Sequence, residues 1–389
     1  MPRLPETFSD LYGHAPDGVW SAPGRVNLIG EHTDYNGGLA LPIALPHRTS
    51  CAASARDDGV LRIASLQEES AVEVSLDEVA AGHPSGWAAY VAGVLWALRD
   101  AGYAVRGLDV LVDGRVPLGA GLSSSAALEC SVAAAASDLF GLGLLESAEG
   151  RATLAAACQR AENDIAGAPT GGMDQAAAMH CTPAHALRLD CRDGAFSQVP
   201  FDLEAHDAVL LVTDTRASHA LADGQYGARR DACEKAADLL GVEFLRDVVG
   251  RPIDETLDAL PDDELRRRTR HVVTEIERVD AVVDALRDGD LDEVGRLFVA
   301  SHESLRDDYE VSCTELDLVV DTAVAEGAFG ARMTGGGFGG SAIALVRAAD
   351  VDRVTRAIAD AFAEARLTAP VSFAVTAAGS AARDAVSPE

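Results

Sequence analysis

Pro117-Leu118-Gly119-Ala120-Gly121-Leu122-Ser123-Ser124-Ser125-Ala126 constrains this chain more than any other ten residues. A strand-like apolar run, residues 108–112, leads in, and a long alanine-rich helix over 124–139 leads out. Glycines let a backbone approach a ligand closely, and the free N–H groups of a helix N-terminus attract anions. Three serines add hydroxyl donors, and one of them can ligate a magnesium ion. The plainer reading is a glycine turn with a serine N-cap. Gly-Leu-Ser-Ser-Ser after a strand is unusual enough to favour phosphate binding. The segment is neither a P-loop nor a GxGxxG fingerprint.

Charge narrows the chemistry further. Of 32 basic residues only Lys235 is a lysine; the other 31 are arginines. P-loop NTPases, protein kinases and Schiff-base enzymes each need a placed lysine. Lys235, in Arg229-Arg230-Asp231-Ala232-Cys233-Glu234-Lys235, reads as part of a solvated helix face. A net charge of −30 disfavours nucleic acid as a partner. The acid excess also suggests salt adaptation, since high salt screens repulsion among carboxylates. A GC-rich genome explains the arginines and alanines but not readily the acids.

Hydrophobic residues make up 48% of the 389, enough for a large core, so the chain is not disordered. No run matches the roughly 20 apolar residues of a membrane span, and the N-terminus has no signal-peptide core. A cytoplasmic protein is expected. The seven cysteines are scattered without a CxxC and read as buried free thiols. His180, Cys181, His185 and Cys191 lack zinc-site spacing.

Strand-like runs at 49–55, 61–66 and 71–76 precede a helix at 87–99. After the alanine-rich helix come a helix at 148–165 and a strand at 208–213. The remainder is mostly helical, at 221–240, 263–286, 291–308 and 315–325. A strand at 342–346, a helix at 351–365 and a strand at 371–376 close the chain. Strands and helices mix without steady βαβ alternation, so the expected class is α+β. Two domains are expected, 1–200 and 201–389, packed together with a cleft between them.

Two more segments carry chemistry. Gly24-Arg25-Val26-Asn27-Leu28-Ile29-Gly30-Glu31-His32-Thr33-Asp34-Tyr35-Asn36-Gly37-Gly38 crowds charged and hydrogen-bonding side chains between glycines. That suits a polyhydroxylated ligand, whose hydroxyls each need a directional partner. A solvated turn with an Arg–Glu pair suits it equally on spacing alone. Gly335-Gly336-Gly337-Phe338-Gly339-Gly340 is either a flexible hairpin or a close backbone approach to a ligand or another loop. Glu162, late in a helix, and Asp174, in Gly171-Gly172-Met173-Asp174-Gln175, are acids whose role the residues alone leave open.

Together these segments resemble the GHMP superfamily of small-molecule kinases and, within it, the galactokinase family. Residues 24–35 resemble that family's signature, 117–126 the superfamily's phosphate loop and 335–340 its third motif. The match runs in order along nearly the whole chain. It implies two α+β domains with the active site between them, and transfer of the γ-phosphate of ATP to the carbon-1 hydroxyl of galactose. Asp174 resembles the catalytic base, and Arg25 the cation that keeps that carboxylate ionised and steadies the transferring group. Glu31, His32, Thr33, Asp34 and Tyr226 resemble sugar contacts, with Asp34 reading the carbon-4 hydroxyl. Gly119, Ala120, Gly121, Leu122, Ser123, Ser124 and Ser125 would cradle the nucleotide phosphates. Ser125 and Glu162 would hold Mg2+, and Ser65 falls where the family places a nucleotide contact.

One departure stands out. Ser218-His219-Ala220-Leu221 lacks the basic residue that many relatives carry there, and Arg216 is the nearest substitute. N-acetylgalactosamine kinase shares the fold and most motifs. A non-catalytic galactose sensor on the same scaffold is disfavoured by the intact Ser123-Ser124-Ser125 run, Asp174 and Arg25. No protein partner is implied.

Overall fold

The computed structural model describes residues 4–168, 170–217 and 224–385. Helix α1 (Leu4–Tyr12) leads into strands β1 (Gly18–Asn27), β2 (Leu39–Ala40), β3 (Pro42–Arg56), β4 (Val60–Ser65) and β5 (Val72–Ser75). Helix α2 (Ala88–Asp100) and strand β6 (Gly107–Gly114) precede helices α3 (Ser124–Leu139), α4 (Ala148–Arg160) and α5 (Met173–His180). Strands β7 (His185–Asp190), β8 (Phe196–Pro200) and β9 (Ala208–Asp214) come next. A helical stretch follows: α6 (Gln225–Leu240), α7 (Ile253–Asp258), α8 (Asp263–Asp288), α9 (Leu291–Asp307) and α10 (Thr314–Ala325). Strands β10 (Gly330–Thr334) and β11 (Ser341–Arg347), helix α11 (Val351–Glu364) and strands β12 (Val371–Val375) and β13 (Ala382–Arg383) end the chain.

The larger sheet has the order β13-β1-β3-β6-β4-β5, antiparallel throughout except for the parallel β4–β6 pair. A second, fully antiparallel sheet has the order β10-β11-β9-β12. A small third sheet joins β2, β7 and β8. Strand β13 returns from the far end of the sequence to pair with β1, Ser21 opposite Ala382.

The expected helix over 124–139 forms with those bounds. Its alanines leave it buried on nearly every face, against α2, β1 and β3. Strand β1 went unread because its sequence carries no alternation. Nine of its ten residues are buried, so both faces are covered and the period-two signal vanishes. Pro23 and a register shift between Pro23 and Arg25 disguise it further. The expected helix at 221–240 is present as α6 from Gln225, its first residues lying outside the described ones.

Two apolar cores result. One, with Trp20, Leu95, Val110, Val132 and Cys158, lies between the larger sheet and α2–α4. The other joins Val212, Val272, Phe298, Leu345 and Phe362 to Ile29, Leu41, Ala120 and Leu122. The phosphate-loop segment and the Gly24–Gly38 segment are therefore anchored in the core of the chain's second half, and the seam between the two cores carries the site.

Candidate active site

Position 123 sets the geometry of the loop. Ser123 has φ +60°, a left-handed conformation that is costly for a non-glycine residue, and α3 starts directly after it. The loop is held from two sides. Arg25 on β1 donates its backbone N–H to the Leu122 carbonyl (3.1 Å) and its Nη1 to the Gly121 carbonyl (2.7 Å). From the hairpin between β10 and β11, the Ser341 hydroxyl donates to the Ala120 carbonyl at 2.7 Å. Gly335 has φ +83°, and a Cβ there would stand 3.0 Å from the Gly121 carbonyl. The third glycine-rich segment is thus both a hairpin and a close approach to the phosphate loop.

Asp174 lies in the first turn of α5. Arg25 grips it with Nε 2.8 Å from Oδ1 and Nη2 shared between Oδ1 at 2.7 Å and Oδ2 at 2.9 Å, and Ser123 donates its hydroxyl to Oδ2. Arg25 is 6% exposed, so little water competes for this pair. Gly171 makes room beside it, since a Cβ there would collide with the Asp34 carboxylate at 2.2 Å. Asp34 therefore sits close to Asp174. Burial first, and the Asp174 charge second, push Asp34 up to about 6.

Helix α4 gives way to a single π-helical turn over Ala161–Ala166, which places Glu162. Glu162 accepts from Gln175 Nε2 at 2.6 Å and from the Ser125 hydroxyl. Burial, then the negative Asp174, push it up to about 7. Ser125 and Glu162 offer adjacent hard oxygens, the donor type that suits Mg2+. Among the described residues no group of three or more His, Cys, Asp or Glu residues could hold a metal. A cation here would thus depend on few protein ligands and on a partner such as phosphate.

Arg25, Glu31, His32, Asp34, Glu162, Asp174 and Tyr226 line one cavity of about 240 Å³. His32 Nδ1 bonds the Tyr35 hydroxyl at 2.8 Å. Burial, then the neighbouring His271, hold His32 down at about 3, so the ring is neutral. Glu31 lines the wall, but its carboxylate is engaged by the Arg332 guanidinium, the Gly335 N–H (3.1 Å) and the Thr334 hydroxyl (3.3 Å). Thr33 does not line the cavity. Its hydroxyl donates to the carbonyls of Gly30 and Leu39, which ties off the turn. Ser65, Ser124 and Ser125 border a second cavity of about 250 Å³, with Trp87, Tyr90, Leu118 and Leu128 as its apolar wall. The Ser125–Glu162 contact joins the two cavities.

The sequence reading missed Arg332, Glu275 and Gln175. Arg332 is fully buried on β10 and bonds the Leu28 carbonyl at 3.0 Å and Glu275 at 3.5 Å. A lone arginine in a short apolar strand was the available signal. Ser218–Leu221 lies outside the described residues, so the missing basic residue has no structural account; Arg216 is exposed, and its N–H bonds Asp214 at 2.9 Å.

Comparison with known proteins decides the family. Residues 6–55 match the galactokinase galactose-binding signature, 89–182 the GHMP kinase N-terminal domain and 282–364 the GHMP kinase C-terminal domain. The galactokinase of Streptomyces coelicolor is 56% identical over 377 residues, 96% of each chain. This chain belongs to the galactokinase family. The galactokinase of Mycobacterium tuberculosis is 47% identical, over 90% of this chain and 93% of its own. The Lactococcus lactis galactokinase solved with galactose superposes with a TM-score of 0.92 at 33% identity, covering 98% of both chains. Family membership carries with it the two-domain GHMP kinase fold. A mevalonate kinase at 16% identity, TM-score 0.62 over 92% of this chain and 98% of its own, shares that fold alone. No helix among the described residues is long and apolar enough to cross a membrane.

Proposed function

We propose that this chain transfers the γ-phosphate of ATP to the carbon-1 hydroxyl of α-D-galactose, giving galactose 1-phosphate and ADP. The carrying observation is the Arg25–Asp174 pair facing a polar cavity beside Ser123 and the start of α3. Galactose occupies the cavity of Asp34, His32 and Tyr226, and the nucleotide base occupies the apolar cavity beside Ser65. Residues 119–125 hold the phosphates between them, where N–H groups at the start of α3 favour negative charge.

Asp174 is the base. Arg25 Nε and Nη2 lie 2.8 and 2.7 Å from Oδ1, and Nη2 and the Ser123 hydroxyl also reach Oδ2. The proton of the carbon-1 hydroxyl passes to Asp174 as that oxygen bonds the γ-phosphorus. The bond from the γ-phosphorus to the bridging oxygen breaks, and ADP leaves with that electron pair. Arg25 holds the carboxylate in line and faces the charge on the transferring group. Ser125 and Glu162 would hold Mg2+, which would supply neutralisation of phosphate charge. Asp34 accepts from the carbon-4 hydroxyl, whose orientation separates galactose from glucose.

The seven cysteines are unpaired and five are buried, as suits a reducing compartment. We place the enzyme in the cytoplasm. A coupled ADP-release assay on galactose, N-acetylgalactosamine, 2-deoxygalactose and glucose tests the reading. Turnover on galactose and none on glucose is expected. Equal rates on galactose and glucose, or a preference for N-acetylgalactosamine, contradict it.

A further inference from the structure

Behind the wall of the sugar cavity lies a chain of hydroxyls that the mechanism above does not use. The His32 ring packs on Tyr309 with centroids 4.7 Å apart. His32 Nδ1 lies 2.8 Å from the Tyr35 hydroxyl, and that hydroxyl lies 2.8 Å from the Tyr309 hydroxyl. The Tyr309 hydroxyl in turn lies 3.1 Å from Cys233 Sγ. Tyr309 is 0% exposed and Cys233 1%, so water does not compete at that end of the chain. The other ring nitrogen of His32, Nε2, is buried with no hydrogen-bond partner of normal geometry, on a residue that lines the cavity. Turning the ring over would set a carbon against the Tyr35 hydroxyl, so the nitrogen belongs there.

Each hydroxyl and the thiol has one proton to give, and the neutral ring has one nitrogen that donates and one that accepts. Tyr35 touches two polar atoms, so it donates to one and accepts from the other. The chain therefore has two ordered states. In the first, Cys233 donates to Tyr309, Tyr309 to Tyr35 and Tyr35 to Nδ1, which puts the ring proton on Nε2. In the second every bond reverses and Nδ1 carries the proton. Three features select the first. A bare imidazole nitrogen is the strongest acceptor in the chain, and a phenol is a better donor than acceptor. The Asn36 side-chain amide hydrogen-bonds Cys233 Sγ and favours negative charge there, as a donor does, so the sulfur already accepts and its own proton is left for Tyr309. The Gly336 backbone, which shares the cavity wall, favours a proton on the His32 ring, as an acceptor does.

We propose that the Cys233–Tyr309–Tyr35 chain directs a hydroxyl proton onto His32 Nδ1, so that His32 meets the sugar with a fixed Nε2–H donor. Which nitrogen of a histidine carries the proton is set by the bond the other one makes. Tyr35 and Tyr309 are positioning residues: they act on the sugar through His32. An ionised Asp34 can only accept, so an Nε2–H gives the cavity the opposite hydrogen-bond sense as well. This consequence rests on the reading that the cavity takes galactose; the tautomer does not.

Two measurements test the proposal. The first is the long-range proton–nitrogen correlation spectrum of the full chain with labelled histidine, without sugar, at neutral pH; His32 is assigned by the signal lost in His32→Gln. A protonated Nε2 and a bare Nδ1 are expected. A protonated Nδ1 overturns the proposal. The second compares galactose with each of its singly deoxygenated analogues, the analogues measured as competitive inhibitors of galactose turnover, in wild type and Tyr35→Phe. The phenyl ring keeps the packing but leaves Nδ1 buried without its donor. A loss of about tenfold in galactose affinity is expected, with a smaller change in kcat. For the one analogue that lacks the hydroxyl facing Nε2, that loss should shrink to about threefold or less. An equal loss for every sugar marks a purely structural role and overturns the positioning claim. If Tyr35→Phe does not fold, Tyr309→Phe, which cuts the chain one step further back, is read by the same comparison. If galactose is not phosphorylated at all, the galactose reading has failed, and the spectrum alone decides the tautomer.

Discussion

Arg25 and Asp174, 149 positions apart in the sequence, meet through Nε, 2.8 Å from Oδ1, and Nη2, which lies 2.7 Å from Oδ1 and 2.9 Å from Oδ2. The pair joins β1 to the first turn of α5, and the third Arg25 nitrogen reaches the phosphate loop at Gly121. One guanidinium thus fixes the base and the loop relative to each other. A lysine keeps the charge but not the planar fork. Arg25→Lys is expected to lower kcat at least about tenfold, with galactose KM changed less, in steady-state kinetics. Wild-type kcat in that variant contradicts the fork's role.

Arg332 is the counter-charge for two buried carboxylates, Glu31 and Glu275. Breaking a buried pair by removing one partner costs about 3–5 kcal/mol, because the other charge stays buried and unpaired. Arg332→Met is expected to lose about 3 kcal/mol or more of unfolding free energy by urea denaturation. Glu275 keeps Arg278 at 2.9 Å, so Glu31 takes most of the loss. A loss below about 1 kcal/mol contradicts this account.

Asp34 yields two pH effects of opposite sign. Its pKa rises from 3.8 to about 6 on folding. The folded state therefore holds its proton more tightly than the unfolded chain does. That stabilising contribution is complete below 3.8 and is lost as pH rises through 6. Wild type should gain stability relative to Asp34→Asn as pH falls from about 6.5 to 4.5. Galactose affinity should move the other way, falling by up to about tenfold per unit below pH 6 as the acceptor is protonated. Thermal melts and calorimetric titrations across this range check both signs.

The parts of the site that were legible in sequence are those whose chemistry is local. Ser123-Ser124-Ser125 after Gly121 marked the loop, and the apolar alanine run gave α3 its bounds. Arg25 could be singled out, but the strand beneath it could not, because burial on both faces erased the alternation. Glu31 was legible as a site acid, whereas its engagement by Arg332 depends on a residue 301 positions away, which no local pattern encodes. Gln175 stood inside a quoted motif, yet its two carboxylate partners become neighbours only when α3, α4 and α5 pack.

The net charge of −30 gives a prediction independent of the site. Excess carboxylates repel one another in the folded state, and the Debye length falls from about 10 Å at 0.1 M salt to about 3 Å at 1 M. Melting temperature and activity are expected to rise as KCl goes from about 0.1 M to above 1 M. Thermal melts and initial rates at fixed Mg2+ and ATP check this. A flat or falling melting temperature shows that the acid excess is not salt adaptation.

The most direct test of the mechanism is a paired measurement on Asp174→Asn: turnover with saturating ATP and galactose, and galactose binding by calorimetry. The amide keeps the shape of the side chain but cannot accept the sugar's proton. General-base catalysis contributes about 10²–10⁴-fold, so turnover should fall by at least that much while galactose affinity stays within a few-fold of wild type. A variant that keeps more than about a tenth of wild-type turnover contradicts the assignment of Asp174 as the base.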